Sequence, residues 1–487
     1  MKINKKTYII VTIAIFGVLY SLISLVNHYL FRTYALDLGL YTNALFKYGH
    51  FRMGDDLMIK TTYESILGGH FDLYLVLFSP LVYVFGTYTL LILQIVSILF
   101  GGIGIYKYFR LRDNNNELMA YFAMIYFFLF FGIFSALSYD YHSVVVSAGL
   151  IPWFFLVFHR GKYIKSSLLV IMILISQENI SLLMVFIFLG LMIEYRKNRI
   201  GLLVLSIYSI LSLLYFVIVT SILIPSFSST HAYSGFLYSV LGHTPFEALS
   251  NLVLHPFESF KILFINHNNS ITGDYVKIEM HILILVSGAF MLFLKPQYIL
   301  MLIPIYFQKL FHDNYNIWGI DSQYCIEFAP LLAIGIFSVI VELKNVHLKF
   351  FLTAVVIIGA LGSTVRIMDN TVLFTDKSRI RFYQVSHYSR DYNVRTVYHQ
   401  LNLIPEEAKI CAQSPFVPHL ALRNSIYQFP LIKDAEFIIY SEKEEPYPID
   451  KNTFNSITTA LENSKEWNVK YKDDNLTILK KSVYNKK

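Results

Sequence analysis

One carboxylate, Asp37, lies in a short amphipathic segment directly after the first long apolar stretch of the chain. That stretch runs from Tyr8 to Leu30 and is long enough to cross a bilayer as a helix. A carboxylate at the mouth of a membrane span is costly unless it stays hydrated or has a partner, so Asp37 is a candidate for proton transfer. The alternative is that Asp37 only caps a small interfacial helix beginning at Leu38, since aspartate is a good N-cap residue. The rest of the chain has to decide between these roles.

Six further acidic or histidine residues lie at the predicted outer ends of other apolar stretches. Each alone also fits a cap or a satisfied interfacial residue, but a helix bundle can assemble an active site from several such ends. Glu178 differs from the others, because Gln177-Glu-Asn179 interrupts an apolar stretch in its middle. An ionisable residue inside a membrane needs water or a partner, which predicts that Glu178 faces a cavity. The other five are His70, Asp140, His142, His312 and Asp321.

Two cations and a tyrosine complete the candidate set. Lys309 and Arg366 lie at predicted outer ends of spans, where each either binds a lipid phosphate or only extends its charge to the membrane surface. Tyr324 lies in the outer loop that follows Lys309. The sequence contains no Walker motif, no GxSxG and no HExxH, and the missing nucleotide loop argues against ATP-driven pumping.

The composition is that of a polytopic membrane protein. Hydrophobic residues make up 55% of the 487 positions and charged residues 15%, and the mean hydropathy is +0.51. The net charge of +7 does not indicate nucleic-acid binding, because Lys and Arg lie mostly in short loops between apolar stretches. Cys325 and Cys411 are the only cysteines, which excludes a disulfide framework, and neither has metal-ligand spacing.

The apolar stretches predict about eleven membrane crossings. Three lysines among the first six residues place the N-terminus in the cytoplasm, and the loops assigned to that side carry Lys or Arg. The first stretch has no small-residue cleavage site after it and is predicted to be an uncleaved signal anchor. Two long outer loops follow, 31–87 and 225–278. Apolar pieces of the second, such as Phe246 to Leu254, are predicted to lie flat on the membrane.

The pattern divides the chain into a transmembrane domain, 1–366, and an extracytoplasmic domain, 367–487. From about Tyr398 short strand-like runs appear, with a helix predicted over Asn452 to Glu466, and this indicates a small α/β domain. The tail contains neither a glycine-rich phosphate loop nor a metal-ligand cluster. We therefore expect it to act as a lid or docking module rather than as a second active site.

Short motifs follow one another in a characteristic order: Asp37-Leu-Gly39, Gly69-His-Phe71, Asp140-Tyr-His142 and Gln177-Glu-Asn179. This order resembles an uncharacterised family of polytopic membrane proteins, the domain-of-unknown-function 2079 family. The chain departs from the expected pattern in having Gln177 and Asn179 where Lys and Asp are expected. The tail resembles the outer domain of that family through Ile404-Pro-Glu-Glu, Pro418-His-Leu420, Arg423 and Phe429-Pro430, so the similarity covers nearly the whole chain.

Members of that family resemble GT-C glycosyltransferases, membrane enzymes that take sugars from polyprenyl-phosphate carriers. The resemblance implies a mainly α GT-C-like fold in which an acid of the first outer loop activates the acceptor, and Asp37 occupies this position. Glu178, Asp140 and His142 are the further catalytic candidates. No cofactor or metal ligand is assigned, although a divalent cation is left open. The candidates for binding the substrate and its leaving phosphate are His70, Lys309, His312, Asp321, Tyr324 and Arg366.

The predicted function is that of a plasma-membrane glycosyltransferase acting at the extracytoplasmic face. Its expected partners are a polyprenyl-phosphate sugar donor, a glycan, lipid or protein acceptor, and membrane lipids, but not nucleic acid. Two other classes stay open. A transporter or flippase of a lipid-linked or polar substrate would be favoured by inverted repeats, and a non-catalytic envelope assembly protein would work through its outer domain. A lipid-sized groove beside Asp37 would favour the enzyme.

Overall fold

The computed structural model describes residues 5–113 and 117–482, and most of them are helical. Each stretch predicted to cross the membrane coincides with one helix or with two consecutive helices. The α-helices of the first half of the chain are α1 (Lys5–Tyr29), α2 (Leu40–Gly49), α3 (Tyr74–Leu77), α4 (Val82–Phe85), α5 (Thr89–Arg112), α6 (Glu117–Leu129), α7 (Phe131–Ser138), α8 (Ser143–His159), α9 (Tyr163–Leu174), α10 (Glu178–Glu194), α11 (Arg199–Ile218) and α12 (Ile224–Phe227).

The second half of the membrane part begins with the long loop at 225–278, which contains two consecutive amphipathic helices. In the first of them Phe246, Val253 and Leu254 are 70–78% exposed, as expected for a helix lying on a membrane surface. The α-helices of this half are α13 (Pro245–Leu254), α14 (Pro256–Ile262), α15 (Val276–Val286), α16 (Pro296–Leu310), α17 (Tyr315–Trp318), α18 (Phe328–Glu342) and α19 (Val346–Met368).

Among the described residues, four helices are long and apolar enough to span a membrane on their own. Two bent pairs raise this number to six: α6 with α7, bent by 40°, and Tyr315–Cys325 with α18, bent by 71°. Other predicted crossings are shorter helices, among them α8 and α9. The polytopic helical fold is thereby confirmed, whereas the count of about eleven crossings stays a prediction.

Close packing of α5 against α8 positions one of the outer loops. A Cβ atom on Gly149 would lie 2.2 Å from the carbonyl oxygen of Ser97, and small residues of this kind let membrane helices approach each other. At the outer end of the same contact, the buried amide of Gln94 donates to the carbonyl oxygen of Asp140 and accepts from the backbone N–H of His142. The helix pair therefore fixes the Asp140-Tyr-His142 loop.

The C-terminal part is a small α/β domain, as the sequence predicts. Its elements are α20 (Val394–Asn402), β1 (Ile410–Ala412), α21 (Val417–Leu420), β2 (Ile426–Gln428), β3 (Phe437–Tyr440), α22 (Lys451–Glu462), β4 (Trp467–Lys472) and β5 (Thr477–Lys481). The mixed sheet has the strand order β2-β1-β3-β5-β4; β1 pairs in parallel with β2 and β3, whereas β5 runs antiparallel to β3 and β4. The division of the chain at 366/367 stays a prediction; helix α19 ends two residues later.

Candidate active site

A cavity of about 960 Å³ opens at the predicted outer end of the helix bundle. Its size is typical of small-molecule sites, which are concave and contain a few convergent polar groups. Helices and loops from distant parts of the chain contribute its walls. Seven of the ten candidate residues line it: Asp37, His70, His142, Glu178, Lys309, His312 and Tyr324.

Asp37 lies in a π-helical turn, Ala35–Gly39, that continues directly into α2. The N-cap of this turn is Tyr34, whose own side chain makes no capping bond, and the backbone N–H of Ala35 donates instead to Oγ of Ser414. The alternative that Asp37 caps a helix starting at Leu38 is therefore wrong. Its side chain is 22% exposed and lines the cavity. Burial raises the pKa of Asp37 to about 6, against the opposing positive charges of Arg379 and His70.

The histidine nearest to the Asp37 carboxylate is His142. Its Nε2 lies 3.8 Å from Oδ1 of Asp37, which is too long for a hydrogen bond. Burial lowers the pKa of His142 to about 3, so the imidazole is neutral at physiological pH. Asp37 is therefore not held in a tight ion pair by this histidine, and its carboxylate remains available to the cavity.

Glu178 and His70 form a carboxylate–imidazole pair in the cavity wall. The helical stretch is broken before Glu178, which begins α10 and is 1% exposed. Its Oε1 lies 2.8 Å from Nδ1 of His70, and its Oε2 accepts from the backbone N–H of Phe71 at 3.2 Å. Burial alone would lower the pKa of His70, but the charge of the Glu178 carboxylate outweighs this effect and raises the pKa above its usual value. Glu178 thus lines the cavity and favours the protonated form of the His70 imidazole at its surface.

Lys309 brings a second cation to the opposite side of the cavity. It lies near the end of α16, is 3% exposed and donates to the carbonyl oxygens of Ile317 and Gly319 at 2.8 and 2.9 Å. Cys325 is a further hydrogen-bonding neighbour of this Nζ, so two carbonyl groups and a thiol hold the Lys309 head group in place. Tyr324 lies beneath it, with the ring centre 5.5 Å from Nζ. In His312, Nδ1 accepts from the backbone N–H of Asn314.

Three candidate residues lie outside this cavity, within the part of the chain that the structure describes. Asp140 accepts from Nη2 of Arg379 at 2.8 Å. Asp321 pairs with Nζ of Lys377 at 2.6 Å, and Arg366 pairs with Glu279 at the same distance. Each has a partner elsewhere, so these placements do not favour direct contact with a substrate.

An apolar groove of about 580 Å³ adjoins the polar cavity. Helices α14, α15 and α16 contribute its walls, for example through Phe260, Leu285 and Ile303. Leu252 of α13 and Phe307 of α16 line both the groove and the cavity. The two spaces are therefore adjacent, as a ligand with an apolar chain and a polar head would require.

Residues 27–478 match a family model described as "Predicted membrane protein (DUF2079)". The chain belongs to this family. A crystal structure of ArnT from Cupriavidus metallidurans bound to undecaprenyl phosphate is similar to this DUF2079 protein, with a TM-score of 0.50, 12% sequence identity and 99% of both chains covered. ArnT is a GT-C glycosyltransferase, and the likeness shows that this chain has the GT-C membrane fold. No curated protein matches the chain.

Three ionisable residues in or beside the DUF2079 site were not among the candidates from the sequence: Asp72 and Glu327, which line the cavity, and Arg379. Asp72 lines the cavity with His70, and burial raises the pKa of Asp72 to about 7. Arg379 lies in the segment after α19 and pairs with Asp140. A sequence signal for Arg379 exists: Lys377, Arg379 and Arg381 form a basic cluster in a segment predicted to be extracytoplasmic, where the positive-inside rule predicts few cations.

The acids of the cavity do not converge as metal ligands. Within residues 5–113 and 117–482, no group of three His, Cys, Asp or Glu side chains is placed to hold a metal ion. Asp37, Asp72 and Glu178 come from separate elements, and Glu178 is already bonded to His70. A role for a divalent cation, which the sequence neither requires nor excludes, therefore stays an open part of the prediction.

Proposed function

We propose that this DUF2079 protein is a glycosyltransferase that moves a sugar from a polyprenyl-phosphate-linked donor to an acceptor hydroxyl, with Asp37 as the general base. The observation that carries the proposal is the junction of the polar cavity with the apolar groove at Leu252 and Phe307. A prenyl chain suits the groove, and a sugar phosphate suits the cavity. The similar ArnT structure was obtained with undecaprenyl phosphate bound, which supports a lipid of this class.

Asp37 suits the removal of a proton from an acceptor. With a pKa of about 6 its carboxylate is ionised at neutral pH, yet it is a stronger base than an ordinary aspartate. It takes the hydroxyl proton while the acceptor oxygen bonds to the anomeric carbon of the donor. The bond between that carbon and the phosphate oxygen breaks with its electron pair, and polyprenyl phosphate leaves. A direct displacement of this kind inverts the configuration at the anomeric carbon.

The leaving phosphate requires positive charge or hydrogen-bond donors. His70 supplies an imidazole whose protonated form Glu178 stabilises, and Lys309 supplies an amino group that two backbone carbonyls hold in place. Both line the same cavity as Asp37. Charge that develops on the phosphate oxygen is thus stabilised by groups already oriented before the reaction, which is the arrangement that lowers a barrier most.

The proposal includes an orientation in a plasma membrane. From a cytoplasmic N-terminus, about eleven crossings bring residues 367–487 to the outside, together with the cavity. A reporter that is active only in the cytoplasm, fused after Lys487, should therefore stay silent. A strong signal from this fusion would contradict the count of crossings, whereas a reporter active only outside should give the opposite result at the same position.

The decisive experiment uses purified protein in detergent, without a sealed compartment. Undecaprenyl phosphate carrying a radiolabelled hexose or pentose is the probe, and transfer of label to a water-soluble or lipid acceptor is measured, with Asp37→Asn as the matched control. We expect transfer by the natural protein only. Movement of the intact lipid across reconstituted vesicles, with no bond broken, would instead make the protein a flippase. If neither sugar transfer nor lipid movement is detected with any probe, the result favours the non-catalytic assembly protein.

A further inference from the structure

Arg379 is fixed from several directions behind the candidate active site. Its Nη2 donates to Oδ1 of Asp140 at 2.8 Å. Its guanidinium carbon lies 5.3 Å from the ring centre of Tyr34 and 5.0 Å from that of Tyr139. Its backbone oxygen accepts from the side-chain amide of Asn27 in α1 at 2.7 Å. The segment after α19 is thereby attached to the outer end of the first helix, and the guanidinium has one orientation.

Asp140 connects Arg379 to the turn that carries Asp37. The side chain of Asp140 is 2% exposed, and its Oδ2 accepts from the backbone N–H of Tyr34 at 2.8 Å and from that of Leu38 at 3.4 Å. These two amides flank Asp37 in sequence. Free amides at the start of a helix need an acceptor, and no side chain of the turn itself supplies one. Asp140 therefore acts as the cap of this turn from across the bundle.

We propose that Arg379 is a positioning residue of the active site: through its ion pair with Asp140 it fixes the turn that carries Asp37. This inference rests on the proposed function only for the chemical role of Asp37. The segment between α19 and α20 is then part of the active site and not merely a linker to the C-terminal domain. Loss of Arg379 would leave Asp140 buried without its cationic partner, which disturbs the turn.

The proposal makes opposite predictions for the two partners. Removing the positive charge of Arg379 should make Asp37 harder to ionise, whereas removing the negative charge of Asp140 should make it easier. A general loss of packing would not produce opposite signs. The titratable and charged groups that surround Asp37 are Arg379, Asp140, His70, His142, Tyr41, Tyr139 and Tyr324.

The test follows the ionisation of Asp37 without relying on enzyme activity. Dicyclohexylcarbodiimide reacts with a protonated carboxyl, and the modified peptide that contains Asp37 is quantified by mass spectrometry as a function of pH. In the natural protein we expect the midpoint near pH 6. It should rise by about one pH unit in Arg379→Gln and fall by a similar amount in Asp140→Asn. Unchanged midpoints, or shifts in the same direction, would overturn the proposal.

The chain offers a matched control and a conservative variant. Arg381→Gln removes the same charge two residues away, where the guanidinium donates to the carbonyl oxygen of Met368, and it should leave the midpoint unchanged. If Arg379→Gln fails to fold, Arg379→Lys keeps the charge without the planar contact and should keep a midpoint near 6 while lowering turnover. A raised midpoint in this lysine variant would contradict the role of the charge. Absence of sugar transfer in the natural protein would refute the proposed function but leave this modification test valid.

Discussion

Charged clusters lie at both ends of the helix bundle, and they differ in how completely their members are paired. At the predicted inner end, Nη2 of Arg112 lies 2.7 Å from Glu194, and the hydroxyl of Tyr298 donates to the other oxygen of Glu194 at 2.9 Å. Glu342 pairs there with Lys295 and lies 3.4 Å from Arg112. The helix ends α5, α10, α16 and α18 are joined by this network.

The outer cluster is equally charged but is arranged around an open space. Among the residues that the structure describes, no Lys, Arg or His nitrogen lies within hydrogen-bond distance of the Asp37 carboxylate; the nearest imidazole nitrogen, in His142, is 3.8 Å away. Glu178 is paired, but its partner His70 is itself 49% exposed in its side chain and lines the cavity. Burial and charge are thus common to both ends. The outer end differs in having a carboxylate, that of Asp37, which is incompletely paired and faces a cavity. A general base requires both properties.

The comparison predicts its largest effect for Asp37→Asn. Asparagine keeps the shape of the side chain but cannot take a proton, so turnover should fall by about 10²–10⁴-fold. The melting temperature at neutral pH should not fall, because Asp37 is not the cap of its turn and its buried carboxylate is unfavourable when ionised. Assays of sugar transfer and melting curves on the same preparation test both statements. Full activity in Asp37→Asn would remove this residue from the mechanism.

A smaller effect is expected when the Glu178–His70 pair is broken. Glu178→Gln leaves His70 without its carboxylate, so the imidazole is neutral more often at pH 7 and turnover should fall by about 10²-fold. Glu178→Leu should do the same and still insert into the membrane. The control is Glu279→Gln, which removes a carboxylate from an ion pair outside the cavity. Equal losses in both glutamine variants would mean that the cavity has no special need for Glu178.

The pKa of Asp37 predicts a pH dependence with opposite signs for activity and stability. Below about pH 6 the base is protonated, so kcat/KM should fall about tenfold per pH unit. Between 3.8 and about 6 the folded protein holds a proton that the unfolded chain has lost, so stability decreases as pH rises through this range. Asp37→Asn should abolish this contribution to the pH dependence of melting. A melting profile identical in both proteins would show that Asp37 does not titrate there.

Much of the site was predictable because helix ends on one side of a membrane share a face. The positive-inside rule assigns the segments that carry Asp37, His70, His142 and Glu178 to one side, and the cavity brings these four together. The interruption of the apolar stretch at Glu178 was the most informative local signal. A carboxylate in such a place requires a polar partner, and the structure supplies His70.

Pairing across long sequence distances could not be predicted in this way. Asp37 and Asp140 are both acids of outer loops, but only tertiary packing decides that Asp37 lines the cavity and that Asp140 binds Arg379, 239 residues away. The ion pairs of Arg366 with Glu279 and of Asp321 with Lys377 could not be predicted for the same reason, since local sequence patterns do not indicate these partners. A sequence identifies which side chains need partners, whereas the packing of helices determines which partners they find.

The smallest effect on catalysis is expected at the inner end. Arg112→Met keeps much of the side-chain volume but removes the donor to Glu194, and it should lower the free energy of unfolding by about 1–3 kcal/mol. Turnover per folded molecule should stay unchanged, because no residue of the cavity is touched. Glu194→Gln is the matched variant, since it removes the charge and keeps the shape. Stability is measured by melting in detergent, and turnover is normalised to the folded fraction. If either variant folds normally but transfers sugar much more slowly, complete pairing does not mark a structural cluster, and the distinction between the two ends of the bundle fails.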